Sequence, residues 1–262
     1  MRIALGIAYD GTGFNGWQSQ PSGNTVQDRL EAALGEIAQS PVRIAGAGRT
    51  DAGVHAVGQV AHFDTDAVRP DTAWVRGTNA HLPEAIAVQW AMPVAADFDA
   101  RYSARARRYV YLLYGHPVRP SVAAGKTGWF HAQLEPVPMR QASQALLGRH
   151  DFSAFRSSEC QAKTPVRTLS ALGIRTVGPY VMFDMTADAF LHHMVRNIVG
   201  CLVYVGSGRQ RPEWLHEVLQ SRDRRNAAPT MSASGLYLVQ VRYESRWSLP
   251  GFPSMIPFLP VE

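Results

Sequence analysis

Asp51 is the carboxylate best placed by its neighbours to do chemistry. It sits in Gly46-Ala47-Gly48-Arg49-Thr50-Asp51-Ala52-Gly53-Val54-His55, between two segments with strand patterning. Glycines at 46, 48 and 53 let this backbone take unusual dihedrals and approach a ligand closely. Arg49, two residues away, supplies a guanidinium that keeps a carboxylate ionised even when it is partly desolvated. An ionised carboxylate in a closed site can act as a nucleophile. The same aspartate would equally suit an Asx-turn or a cap in an ordinary connection. The glycines do not form a nucleotide fingerprint, because the third one is at the wrong offset and no ribose-binding acid follows in register.

A second constellation runs from Phe98 to Tyr111. Arg101, Arg105, Arg107 and Arg108 fall among Tyr102, Tyr109 and Tyr111. If a strand starts near 107, period two puts Arg107, Tyr109 and Tyr111 on one face. Tyrosines stack on bases and arginines hold phosphates, the combination that single-stranded RNA recognition requires. A solvated edge strand would carry the same arginines.

Metal chemistry finds less support. His192 and His193 are adjacent on an expected helix and so point about 100° apart, and neither has a histidine or carboxylate four residues later. There is no HExxH and no CxxC, so no metal is expected. A GxSxG elbow is also missing, which leaves a serine hydrolase unsupported. Two competing readings stay open on the residues alone. One is a non-catalytic RNA-binding module in which Asp51 braces Arg49. The other is a metal-dependent nuclease using Asp51, His55 and His62.

Composition agrees with a polyanionic partner without proving one. The 262 residues carry 26 basic and 21 acidic side chains, for a net charge of +5. Only Lys126 and Lys163 are lysines; the remaining basic residues are arginines, whose planar fork suits phosphates and stacked bases. Cys160 and Cys201 are too few for a disulfide framework, so reduced thiols in the cytoplasm are expected. The apolar start, Ile3 to Ala8, is too short for a secretion signal. The most apolar stretch, Ala189 to Gly206, is broken by His192, His193, Arg196 and Asn197, so no membrane span is expected.

The elements that must position these residues follow from periodicity. Residues 2–10 read as a buried strand. Thr25-Val26-Gln27-Asp28 reads as a capping box, and Val26, Leu30, Ala33, Leu34 and Ile37 continue at helical spacing. Strands are expected at 42–45, 58–63 and 86–90, with a helix over 71–80. The order βαββαβ then recurs. Strands are expected at 109–114, 169–176, 180–185 and 236–241, with helices at 139–147 and 189–205. The expected class is α+β, two βαββαβ halves with sheets backed by helices and an active-site cleft between the halves. The expected divisions are 1–104, 105–246, and a proline-rich C-terminal arm over 247–262. Phe252, Met255, Ile256, Phe258 and Leu259 in that arm favour docking on this chain.

Gly48-Arg49-Thr50-Asp51-Ala52-Gly53-Val54-His55 resembles the active-site motif of the TruA-type tRNA pseudouridine synthases. Four further blocks resemble that family in its order. They are Tyr9-Asp10-Gly11-Thr12 with Gly16-Trp17-Gln18, then Arg107 to Tyr111, His192 to Asn197, and Gly235 to Leu238. The resemblance covers essentially the whole chain. It implies the pseudouridine synthase fold and an isomerase that detaches uracil from ribose at N1, turns the base and rejoins it through C5. It implies targets at positions 38 to 40 of the tRNA anticodon stem-loop, in the RNA's own numbering, no cofactor, and a homodimer. It implies that Asp51 is the nucleophile and that Tyr109 stacks on the target base and takes the C5 proton. Arg49 would hold the carboxylate and fill the space of the flipped base. Arg69, Arg101 and Arg105, with Cys160, Gln161 and Lys163 in one loop, would meet the tRNA.

Overall fold

The structure is a computed structural model that describes residues 1–252 and 256. In chain order the elements are β1 (Arg2–Tyr9), α1 (Val26–Ala38), β2 (Ile44–Gly46), β3 (His55–Asp64), α2 (Thr78–His81) and β4 (Ile86–Val94). There follow β5 (Ala106–Gly115), β6 (Gly128–Phe130), α3 (Pro136–Ser143), β7 (Gly148–Asp151), β8 (Val166–Val177) and β9 (Tyr180–Ala187). The chain continues with α4 (Met194–Gly206), α5 (Trp214–Ser221) and β10 (Leu236–Arg242). The class is α+β, with strands backed by helices. Two compact units arise, residues 1–105 with the described chain from Tyr237 onward, and residues 106–236.

In the first unit the strand order is β4-β1-β3-β10. β1 is buried along nearly its whole length, as its run of aliphatics dictates. It ends where the Asp10 carboxylate accepts the backbone N–H and hydroxyl of Thr12. The Thr25 hydroxyl accepts the backbone N–H of Asp28 at 3.2 Å and so starts α1, which buries Val26, Leu30, Ala33 and Leu34. β3 pairs with β1 on one edge. Its other edge is shared, with β2 opposite 61–63 and β10 opposite 55–56. The connection 47–54 therefore leaves β2 and turns back into the start of β3. The strand expected to finish the second βαββαβ set, β10, runs parallel to β3, with Tyr237 opposite His55.

Near the C-terminus Trp247 lies edge-on to Phe98, with centroids 5.1 Å apart, and Phe252 lies 5.7 Å from Trp90. Ile256 is buried. Met255, Phe258 and Leu259, with Pro253, Pro257 and Pro260, lie outside the described residues.

In the second unit the order is β5-β9-β8-β7, with β6 parallel to β5. α3, α4 and α5 pack on one another. α4 is apolar nearly all round, as befits a helix enclosed on every side. Its start differs from the sequence expectation. Residues 189–193 are not helical, because His193 takes left-handed dihedrals (φ +65°) and the helix begins at Met194. Asp188 stabilises the turn before it by accepting the N–H groups of Thr168 and Ala189. β6, β7 and α5 have no counterpart in the sequence expectation. The first two have three and four residues, too few to show a period.

Candidate active site

The chain between β2 and β3 is fixed by contacts from β3 and from Gly16 and Trp17. The Ala47 N–H donates to the Val60 carbonyl at 2.7 Å, and the Gln59 amide donates to the Gly48 carbonyl at 2.7 Å. The Val54 N–H closes a turn onto the Asp51 carbonyl at 3.1 Å. Gly53 sits inside that turn at φ +78°. The Trp17 N–H donates to the Thr50 carbonyl at 3.0 Å. Gly16, at φ +90°, presses its backbone onto residues 50–52, and a Cβ there would lie 2.7 Å from the Thr50 oxygen. Only glycine fits that contact. Thr50 is buried, Asp51 half-buried and Arg49 exposed.

His55 and His62 leave the loop along β3 and are both buried. His55 Nδ1 accepts the Gly11 N–H at 3.1 Å, and its ring stacks on Tyr237 with centroids 4.6 Å apart. His62 Nδ1 accepts the Ala100 N–H at 3.1 Å. Burial holds His62 below the usual histidine range despite Asp99 nearby. Both δ nitrogens thus face backbone amides, and Asp10 Oδ1 also lies 3.1 Å from His55 Nδ1.

The same unit carries Arg69, Arg101 and Arg105, all exposed. Arg69 donates to the Ile37 carbonyl at the end of α1. Arg101 lies over the Tyr102 ring at 5.4 Å, on a turn whose N–H groups are taken by Asp99. Arg105 pairs with Glu244.

In the second unit, Tyr109 is buried on β5 opposite Met185 and meets Phe190 edge-on at 5.1 Å. Tyr111, on the same face, donates to the Ser232 carbonyl at 2.9 Å. Arg107 donates to the Asp188 carbonyl, and Arg108 forks onto Asp184. Cys160, Gln161 and Lys163 lie in the connection between β7 and β8, with Gln161 and Lys163 exposed. The Ser157 N–H holds the start of that connection to the His192 carbonyl. The rings of His192 and His193 lie against each other at 4.1 Å, not 100° apart on a helix. Asn197, fully buried, donates to the Phe155 carbonyl and accepts from Arg224 and Thr230.

Comparison with known proteins decides the family. The model of the tRNA pseudouridine synthase family matches residues 6–103 and 142–244. The chain belongs to this family. tRNA pseudouridine synthase A of Dechloromonas aromatica (strain RCB) is 60% identical over 250 residues, covering 95% of each protein. The synthase A of Paraburkholderia xenovorans (strain LB400) is 57% identical over 249 residues, covering 95% of this chain and 92% of its own length. That of Burkholderia thailandensis is 58% identical over 250 residues, covering 95% and 93%. Among solved structures, a chain of a Cbf5-Nop10-Gar1 complex aligns over 90% of this chain and 48% of its own, at TM-score 0.39 and 11% identity. That likeness is too distant to add to the family match.

Family membership makes the chain an isomerase that converts uridine to pseudouridine in tRNA. It also gives the early glycine and tryptophan a physical reason. Gly16 and Trp17 hold the backbone of the synthase's Asp51 loop from outside that loop. In the sequence they stand in a family block with nothing nearby that indicates a role. No helix among the described residues is long and apolar enough to cross a membrane.

Proposed function

We propose that Asp51 is the nucleophile with which this chain isomerises uridines 38 to 40 of the tRNA anticodon arm. The observation that carries this reading is a half-buried carboxylate on a backbone fixed by Gly16 and Trp17, inside the loop that resembles the family's active-site motif. A fixed carboxylate attacks without first having to be ordered. In the reaction the bond between uracil N1 and ribose C1′ breaks, C5 bonds to C1′, N1 gains a proton and C5 loses one.

Tyr109 stacks on the target base and accepts the C5 proton; its edge-on contact with Phe190 supports a single ring orientation. Arg49 holds the carboxylate and fills the space of the flipped base. Arg69, Arg101 and Arg105, with Cys160, Gln161 and Lys163, meet the tRNA. The enzyme works in the cytoplasm as a homodimer and needs neither metal nor organic cofactor, since the net change above is an isomerisation that needs no oxidant, reductant or group donor.

The test is incubation with unmodified tRNA and EDTA, followed by measurement of pseudouridine at each position. Product at 38 to 40 with chelator present is expected, and Asp51→Asn should bind tRNA as the wild type does while losing turnover. Activity of Asp51→Asn within about tenfold of wild type would remove the nucleophile assignment. Light scattering checks the dimer.

A further inference from the structure

Thr50, the residue before Asp51, is held by its side chain as well as by its backbone. The Tyr9 and Thr50 hydroxyls are hydrogen-bonded at 2.8 Å, and the two residues are 5% and 7% exposed. Tyr9 is the last residue of β1, and the register against β3 shifts between Ile7 and Tyr9. Bulges of this kind re-aim a side chain at a strand end. The Trp17 ring lies 5.9 Å from that of Tyr9, while the Trp17 N–H holds the Thr50 carbonyl. Thr50 is therefore gripped at its hydroxyl by β1 and at its carbonyl by residue 17.

We infer that Tyr9 and Thr50 form a positioning pair that aims the Asp51 carboxylate, an inference that rests on Asp51 being the nucleophile. The backbone torsions of Thr50 and Asp51 set the direction of the Asp51 side chain. A hydrogen bond between two buried hydroxyls is strong because no water competes for it. With the Thr50 hydroxyl tied to a strand end, residue 50 cannot rotate without breaking that bond. Neither hydroxyl needs to touch the uridine; the pair acts through Asp51.

The test uses the full chain and unmodified tRNA. Single-turnover rates are measured at saturating tRNA, with the active fraction fixed by stoichiometric tRNA binding. Tyr9→Phe keeps the ring and Thr50→Val keeps the shape, while each deletes one hydroxyl. Each should lower the single-turnover rate on the order of ten- to a hundredfold, as misplacement of a reacting group by about an ångström does. The Kd for tRNA should stay within about twofold of wild type, and Thr50→Ser, which restores a hydroxyl, should recover most of the rate. The double variant should lose no more than the worse single one, because both delete the same bond.

Normal rates for Tyr9→Phe and Thr50→Val overturn the pair. So do fully multiplicative losses in the double variant, or losses confined to Kd and melting temperature. An Asp51→Asn control separates the two levels. Turnover by that control removes the nucleophile assignment and the pair with it. An inactive control beside a fully active Tyr9→Phe overturns the pair alone.

Discussion

Arg108 forks onto Asp184, with Nε at 2.8 Å and Nη2 at 2.6 Å from the two carboxylate oxygens. Both side chains are about one-fifth exposed, at 21% and 22%. The bond to Asp184 raises the Arg108 pKa further above its ordinary value. The pair crosses from β5 to β9 immediately beside Tyr109, so it holds the strand that presents the ring proposed to stack on the target base. Arg108→Gln should destabilise the protein by about 1–3 kcal/mol, because a half-buried carboxylate loses a charge-assisted fork. The salt dependence of tRNA binding should not change. Urea melts and salt titrations of the same variant check both halves. A reduced salt slope at unchanged stability would return Arg108 to the RNA.

Arg105 and Glu244 are the exposed counterpart of that pair, at 65% and 40% side-chain exposure. Arg105 holds the Glu244 carboxyl below the usual range. A pair this open to solvent contributes little to the fold and can be exchanged for a phosphate. Arg101→Ala and Arg105→Ala should each reduce the slope of log K against log salt by about one unit. Glu244→Gln should raise tRNA affinity by a few-fold at most, since it removes the competitor for Arg105. Affinity that falls in Glu244→Gln would assign Arg105 to the fold.

Cys201 is buried in α4 and accepts the Ala228 N–H through sulfur at 3.3 Å. Burial pushes its pKa up from 9.0 to about 11. Below 9 the thiol is neutral both folded and unfolded, so it adds no pH dependence. Between 9 and about 11 the unfolded chain loses this proton first, and stability falls as pH rises. Cys201→Ala should lack this part of the alkaline loss, measured by urea melts from pH 8 to 11. A thiol reagent should label Cys160 in the native protein and Cys201 only after unfolding. Equal labelling rates in the native state would contradict the burial.

How much was legible in the sequence depended on how local the cause was. β1, α1, β4, β8 and β9 announced themselves because each has enough residues to show its period, and Thr25 with Asp28 marked the start of α1. The Asp51 loop stood out through its glycines and arginine. The grip on that loop did not. Tyr9 and Thr50 are 41 positions apart, and nothing in either residue's neighbours points to the other. The four arginines of 101–108 looked alike in sequence, yet Glu244 and Asp184, far along the chain, give Arg105 and Arg108 different environments. His192 and His193 matched a helical pattern, and a single left-handed residue moved the helix start beyond them. Periodicity does not report that kind of dihedral.

Arg49 has two proposed tasks, and they can be separated. A target uridine inside a helical stem must leave its stack, at a cost of a few kcal/mol, roughly. The exposed guanidinium of Arg49 can offset part of this by entering the vacated space and stacking on the neighbouring bases. Its charge can also hold the Asp51 carboxylate in place. Arg49→Lys retains the charge and loses the plane. If filling the gap matters, this variant should be slow on a paired uridine and nearly normal on one that is already unstacked. If charge alone matters, both uridines should react almost normally. Single-turnover rates on two tRNAs, one with the target paired and one with its partner base deleted, distinguish these outcomes. Equal losses on both would sink base replacement and leave Arg49 as the partner of Asp51.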